Sequence, residues 1–100
     1  MIHHLVVFRL NPDVSHDDPR VAAAVAAMAV LPNAVPSIRR WEHGLNISPR
    51  PNAYDFGLAS TFDDAAGLAE YATHPAHQAV IALWTAISSW VVCDWEADGA

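Results

Sequence analysis

The alternation of side chains in the first residues predicts a β-strand. Residues 2–10 are mostly β-branched or aromatic, and the run is too short for a stable isolated helix. Successive side chains of a strand point to opposite faces, so one face carries a large apolar set with one histidine. Its members are His4, Val6, Phe8 and Leu10, while His3, Leu5, Val7 and Arg9 lie on the other face. The turn-forming sequence Asn11-Pro12-Asp13 ends the strand.

Apolar residues at helical spacing predict a helix next. Asp18 is a suitable N-cap, and Pro19 fits the first helical position because an N–H there would be unpaired in any case. Pro32 is expected to end the helix, since a proline inside a helix removes a backbone hydrogen bond. The apolar face consists of Val21, Ala24, Val25, Met28 and Leu31.

Two further strands are predicted in the middle of the chain. The first covers residues 35–47 and is interrupted early by Pro36, and the second covers residues 54–62. A turn at residues 49–52 separates them. One face of the second strand contains Tyr54, Phe56, Leu58, Ser60 and Phe62. The other face carries small residues, which predicts that something packs closely against it.

The last third of the chain is predicted to form two short helices and a strand. Asp63 or Asp64 caps a helix that carries Leu68 and Tyr71 on one face. This helix breaks at His74, because the residue before a proline is disfavoured in the helical region. A second helix runs from Pro75 to about Ser88, and the final strand covers residues 90–96. Within that strand, Cys93 is interpreted as a small buried hydrophobic residue.

The predicted order of elements is β-α-β-β-α-β. This order is typical of the α+β ferredoxin-like fold, with a four-stranded antiparallel sheet and helices on one face. The other face must then meet solvent or a partner. With 53% hydrophobic residues in so short a chain, we expect a homodimer through the uncovered sheet face.

Composition and charge narrow the classes of function. The chain has 100 residues, and we interpret residues 1–100 as a single domain. A net charge of −6 argues against a nucleic-acid partner, which requires a basic surface. No run approaches the roughly 20 apolar residues that span a bilayer, and no secretory signal is visible. We therefore expect no membrane partner and a cytoplasmic location.

The segment from Tyr71 to His77 carries the clearest candidate chemistry. His77 falls in the first turn of the helix that Pro75 begins, where the helix dipole disfavours the imidazolium. A neutral imidazole can accept a proton, and an inward-facing Tyr71 can donate a hydrogen bond. If the face of His4 lies under the helices, the three groups meet in one cavity. The predicted apolar walls of this substrate pocket are Phe8, Phe56, Leu58 and Trp84, and His74 is assigned to the same pocket.

Structural roles explain the same residues equally well. A histidine or tyrosine on an apolar face is commonly a core residue with its hydrogen bonds satisfied, and His74 can serve as a helix cap. A metal site formed by His4, His74 and His77 is a weaker alternative, because such distant spacing is not a metal-ligand motif. We therefore expect no metal and no cofactor.

Several short motifs resemble the stress-responsive A/B barrel domain (Dabb) family. They are Ile2-x-His4, Gly44-x-Asn46, Tyr54-Asp55 and, above all, Tyr71-x-x-His74-Pro75-x-His77. The resemblance covers about residues 2–96. It implies a dimeric α/β barrel, in which the sheets of two copies pack face to face.

The resemblance also implies a function. Polyketide cyclases of this family carry out a cofactor-free intramolecular aldol condensation, which would make Tyr71 and His77 the catalytic pair and place His4 in the pocket. Phe56 stands where those cyclases have a further histidine, so a more apolar pocket and a small apolar or polyketide-like ligand are expected. A non-catalytic dimeric stress-response or small-ligand-binding protein is the first alternative. A cofactor-free monooxygenase, suggested by the fold alone, is the second.

Overall fold

The computed structural model describes residues 1–97 and contains one four-stranded antiparallel sheet with helices on one face. The strands lie in the order β2-β3-β1-β4, and both neighbours of β1 run antiparallel to it. The strands are β1 (Ile2–Leu10), β2 (Arg40–Leu45), β3 (Phe56–Phe62) and β4 (Ser88–Glu96). The helices are α1 (Pro19–Ala29), α2 (Leu31–Ala34), α3 (Ala65–Thr73) and α4 (Pro75–Thr85). The predicted ferredoxin-like fold is confirmed.

Three side chains hold the starts of the main helices. Asp18 accepts a hydrogen bond from the Arg20 N–H at 2.9 Å, and Asp64 accepts one from the Gly67 N–H at 2.8 Å. His74 caps α4 through its Nδ1, which accepts from the Ala76 N–H at 3.0 Å. Each contact satisfies a backbone donor that the helix itself leaves unpaired.

Several boundaries differ from those predicted. Pro32 lies in the first turn of α2 instead of ending α1, because a proline is tolerated where the helix needs no N–H donor. Strand β2 starts at Arg40, since the preceding residues run as a loop that buries Val35 and Ile38. Strand β3 starts at Phe56, α4 ends at Thr85, and β4 starts at Ser88.

The inner face of the sheet forms the core beneath the helices. Val6, Phe8 and Leu10 of β1 are buried there, as the period of two predicted, together with Leu58 and Phe62 of β3. Trp84 of α4 is 1% exposed and fills the space between the helix and the strands. His4 shares this inner face and is itself buried.

The outer face of the sheet is uncovered in a single copy of the chain. Leu5 pairs with Cys93, and Val7 pairs with Val91, along the register between β1 and β4. Val91 is 55% exposed and Trp95 is 45% exposed. Within a single copy of the chain, the expected burial of Cys93 is wrong, because strand alternation places its exposed thiol on this outer face.

Within residues 1–97, no helix combines the length and apolar content needed to cross a bilayer.

Candidate active site

A cavity of about 330 Å³ lies between the inner face of the sheet and the helices. Its walls are mostly apolar, and its polar side chains are His4, Tyr71, His77 and Asp94. The apolar lining consists of Val6, Phe8, Met28, Leu31, Leu58, Ala65, Leu68, Ala69, Ala72, Val80, Ile81, Trp84, Trp90 and Val92. Such a lining is typical of pockets that bind an apolar molecule and orient it with a few polar groups.

The break between α3 and α4 positions His77. Pro75 cannot continue α3, so the chain turns at His74 and α4 begins beside the end of α3. The His77 Nδ1–H donates to the carbonyl oxygen of Ala72 at 3.2 Å. A carbonyl only accepts, so Nδ1 carries the proton, and Nε2 of the neutral ring keeps a free lone pair.

The environment of His77 favours its neutral form. Burial is the largest cause, and it lowers the pKa of the imidazole below the ordinary histidine value. The hydrogen bond to Ala72 acts in the opposite direction, whereas His4 and His74 lower the pKa further. The direction is the one predicted, but desolvation is the main cause of it.

Tyr71 lies directly against His77. Their ring centroids are 4.0 Å apart at an interplanar angle of 39°. Tyr71 is 3% exposed, and burial raises the pKa of its phenol, to which the negative charge of Asp94 adds. The phenol therefore stays protonated and able to donate a hydrogen bond across the physiological range of pH.

His4 and Asp94 form a second pair at the same end of the cavity. The two residues are partners in the register between β1 and β4, and the His4 Nδ1–H donates to Asp94 Oδ1 at 2.5 Å. An ionised carboxylate only accepts, so this bond leaves Nε2 of His4 unprotonated in the neutral ring. The His4 ring lies 5.5 Å from the Tyr71 ring, centroid to centroid.

Asp94 was absent from the sequence-based site. A signal for it exists in the final strand, where a single carboxylate interrupts an apolar run and alternates onto the same face as Val92 and Trp90. The pairing of Asp94 with His4 depends on the register of β4 against β1. The period of two specifies the face of Asp94 but not its partner, because a shift by two residues keeps every side chain on its face.

The structure brings together six of the eight predicted site residues. His4, Tyr71, His77, Phe8, Leu58 and Trp84 all line the cavity. Phe56 does not line it; its ring packs against those of Phe8 and Trp84, at centroid distances of 5.6 and 4.9 Å. His74 is also outside the lining, since its Nδ1 is occupied as the cap of α4.

The residues that the structure describes do not form a metal centre. In residues 1–97, no three His, Cys, Asp or Glu side chains converge as metal ligands, so His4, His74 and His77 are not a ligand set. What the cavity offers instead is a free imidazole nitrogen, a protonated phenol and a histidine–carboxylate pair.

Fold and cavity together define the class of protein: a small ferredoxin-like α+β module with histidine, tyrosine and aspartate side chains in a mostly apolar pocket. The chain belongs to the stress responsive A/B barrel domain (Dabb) family, whose model matches residues 2–97. This match confirms the resemblance seen in the sequence.

Several known proteins are similar to this chain in sequence or in fold over nearly their whole length. The uncharacterized protein SCO4036 of Streptomyces coelicolor is 50% identical over 96 residues, which are 96% of this chain and 99% of that protein. A crystal structure of a dimeric protein of unknown function from Bacteroides fragilis is 30% identical, with a TM-score of 0.83 over 96% of this chain and 95% of that one. The hydroxynitrile lyase of Passiflora edulis has a TM-score of 0.82 at 19% identity, covering 99% and 94% of the two chains. At that identity, the likeness to the lyase concerns the fold alone.

Proposed function

We propose that this protein is a cofactor-independent enzyme that removes a proton from a carbon between two carbonyl groups. The main observation in its support is the contact between Tyr71 and His77, whose ring centroids lie 4.0 Å apart in a mostly apolar cavity. In its most concrete form, the reaction is the intramolecular aldol-type condensation of a linear poly-β-ketone, which is the activity of a polyketide cyclase.

The proposed reaction uses groups of the chain alone. Nε2 of His77 takes a proton from the carbon between two carbonyls, and the C–H electrons form an enolate. The Tyr71 hydroxyl donates a hydrogen bond to the enolate oxygen and stabilises its charge. The enolate carbon then forms a bond to a distal carbonyl carbon of the same molecule, and the oxygen of that carbonyl takes the proton back from His77. A positioned base of this kind contributes about 100- to 10,000-fold to the rate.

The apolar walls support the same chemistry. They reduce the amount of water around the enolate, and the cavity of about 330 Å³ offers space for a linear chain folded so that its reacting carbons meet. In the best cases of intramolecular reactions, such preorganisation lowers the activation barrier by roughly 7–11 kcal/mol. Phe8 and Trp84, whose rings lie 4.5 Å apart, form part of this wall.

We further propose that the working unit is a homodimer formed through the uncovered sheet face. The face presents exposed apolar side chains, Leu5, Val91 and Trp95 among them, and the similar protein from Bacteroides fragilis is described as dimeric. Contiguous apolar surface of this kind favours a protein partner.

A non-catalytic ligand-binding protein is the second candidate. The cavity itself favours it, since about 330 Å³ of mostly apolar space binds a small apolar molecule whether or not a reaction follows. In that case, Tyr71 and His77 orient the ligand only.

Turnover of short linear ketide thioesters distinguishes the two candidates. Wild type is compared with His77→Ala and Tyr71→Phe, and His16→Ala serves as a matched control because His16 lies outside the cavity, hydrogen-bonded to Asp55. We expect a cyclised product from wild type and from the control, and a loss of at least about 100-fold in His77→Ala while the variant stays folded. Binding of the thioesters without any product would exclude the enzyme and leave the ligand-binding protein.

A further inference from the structure

The indole N–H of Trp84 is a buried donor without an acceptor. Trp84 lines the cavity and is 1% exposed, and within residues 1–97 its Nε1 has neither a hydrogen-bond partner nor appreciable contact with solvent. Trp41, by contrast, donates its Nε1–H to the Met28 carbonyl at 3.2 Å. Buried donors are nearly always satisfied, so an unpaired one beside a cavity requires an explanation.

The neighbouring aromatic rings do not satisfy this N–H. Phe8 and Phe56 lie 4.5 and 4.9 Å from the Trp84 ring, centroid to centroid, at interplanar angles of 35° and 34°. Rings at such angles lie closer to parallel stacking than to the edge-on arrangement that points an N–H at a ring face. The donor therefore stays unsatisfied within the described residues.

Trp84 lies at the end of the cavity away from the acid–base groups. On α4, Trp84 follows His77 by two turns, which places the two residues about 10 Å apart along the helix axis on the same side. On β1, Phe8 follows His4 by four residues, about 13 Å along the strand, and its ring packs on Trp84. The cavity thus runs from a polar end at His4 and His77 to a distal end at Phe8 and Trp84.

We propose that Trp84 determines substrate specificity by donating its Nε1–H to an oxygen of the ligand about 10 Å from the reacting carbon. The inference rests on the proposed function and narrows the substrate class to linear β-dicarbonyl compounds with a carbonyl or hydroxyl at the far end. A ligand with a purely hydrocarbon tail leaves the donor unpaired. Because folding has already removed the indole N–H from water, ligand binding adds no desolvation cost for it.

The nitrogen is covered by neighbouring atoms, so the indole must shift within its aromatic stack to meet the ligand. Such a shift is measurable, because the Trp84 indole resonance responds both to ring packing and to a new hydrogen bond. This gives the inference a readout that is independent of any substitution.

The test uses two probes in a binding titration followed by NMR of ¹⁵N-labelled protein. One probe is a linear β-keto ester with a saturated tail, and the other carries one ketone at the far end of a tail of the same length. Wild type is expected to bind the tail-ketone probe roughly 3- to 10-fold more tightly, the range that one net hydrogen bond supports. Only this probe should move the Trp84 indole proton downfield.

Two variants localise the effect. Trp84→Phe keeps an aromatic ring and removes the N–H, so it should bind both probes equally. Trp90→Phe is the matched control, since Trp90 also lines the cavity and lies 5.6 Å from the Phe8 ring, and it should keep the preference. If Trp84→Phe does not fold, the indole resonance of wild type decides the question.

The outcomes separate this inference from the proposed function. Equal affinity of wild type for the two probes, with an unmoved indole resonance, overturns the role of Trp84 and leaves the acid–base site untouched. A preference that survives in Trp84→Phe also overturns it. Failure of wild type to bind either probe refutes the proposed function, and this inference with it.

Discussion

The contact between His4 and Asp94 makes a prediction that combines stability and site structure. The His4 Nδ1–H donates to a carboxylate at 2.5 Å, and the His4 side chain is 10% exposed while that of Asp94 is 41% exposed. The variant Asp94→Asn keeps the size of the side chain and an acceptor oxygen but removes the charge. It therefore replaces a charge-assisted hydrogen bond by a neutral one.

The size of the effect follows from this geometry. A hydrogen bond to a charged group contributes about 1.5–3 kcal/mol and a neutral one about 0.5–1.5 kcal/mol, so the difference is about 1 kcal/mol. Because solvent screens a partly exposed carboxylate, we expect the free energy of unfolding to fall by about 0.5–1 kcal/mol. The fraction of His4 with its proton on Nδ1 should fall as well, since the amide is a weaker acceptor than the carboxylate.

Urea unfolding at neutral pH and NMR of the imidazole nitrogens measure the two effects. Glu96→Gln is the matched control, because it removes the same charge two positions further along the same strand face, and Glu96 is exposed. The reasoning is refuted if Asp94→Asn is no less stable than Glu96→Gln and the proton of His4 stays on Nδ1 to the same extent.

Four further predictions follow, two for His77, one for the outer sheet face and one for a helix cap. Protonated His77 cannot act as a base and its pKa is lowered in the folded state, so kcat/KM for a ketide thioester should rise with pH through a value below about 6.5 and then level off. The unfolded chain binds this proton more readily than the folded chain. The contribution of His77 to the free energy of unfolding is therefore fully present above about pH 6.5 and is lost as the pH falls. Urea unfolding measured at a series of pH values should show this dependence in wild type and not in His77→Gln. Val91→Glu should be monomeric in analytical ultracentrifugation. Val30→Glu changes a similarly exposed valine away from the sheet and should stay dimeric. If both variants are dimeric, the proposed interface is wrong. Asp64→Ala should lower the free energy of unfolding by about 1 kcal/mol, because it removes the N-cap of α3. The Asp63 carboxylate makes an exposed ion pair, so Asp63→Ala should lower it by less than about 0.5 kcal/mol. Equal losses in the two variants would argue against the cap.

Local signals in the sequence were sufficient for the elements that build the site. The period of two in residues 2–10 placed His4 and Phe8 on one strand face, and Pro75 placed His77 in the first turn of a helix. Both features depend on the chain within a few residues, and the structure agrees with both. The prediction that His4, Tyr71 and His77 share a cavity was based on these two local features.

Features that depend on contacts between distant parts of the chain could not be predicted from the sequence. Cys93 sits in an apolar run, but its exposure depends on which sheet face the helices cover. Phe56 shares the inner face with Leu58, yet only Leu58 lines the cavity, while the Phe56 ring packs against Phe8 and Trp84. The partner of His4 required the register between the first and last strands of the chain, which no local pattern specifies.

Hydrogen exchange at the reacting carbon tests the central claim most directly, because it requires no knowledge of the natural substrate. A linear β-keto ester is placed in D₂O with wild type, His77→Gln or buffer alone, and loss of the proton signal from the carbon between the carbonyls is followed by NMR. The acid–base account predicts that wild type accelerates the exchange above the buffer rate and that His77→Gln, folded and still binding the ester, lowers the acceleration by about 100-fold or more. If wild type and His77→Gln exchange the proton at the same rate, His77 is not the base and the proposed enzyme activity is wrong.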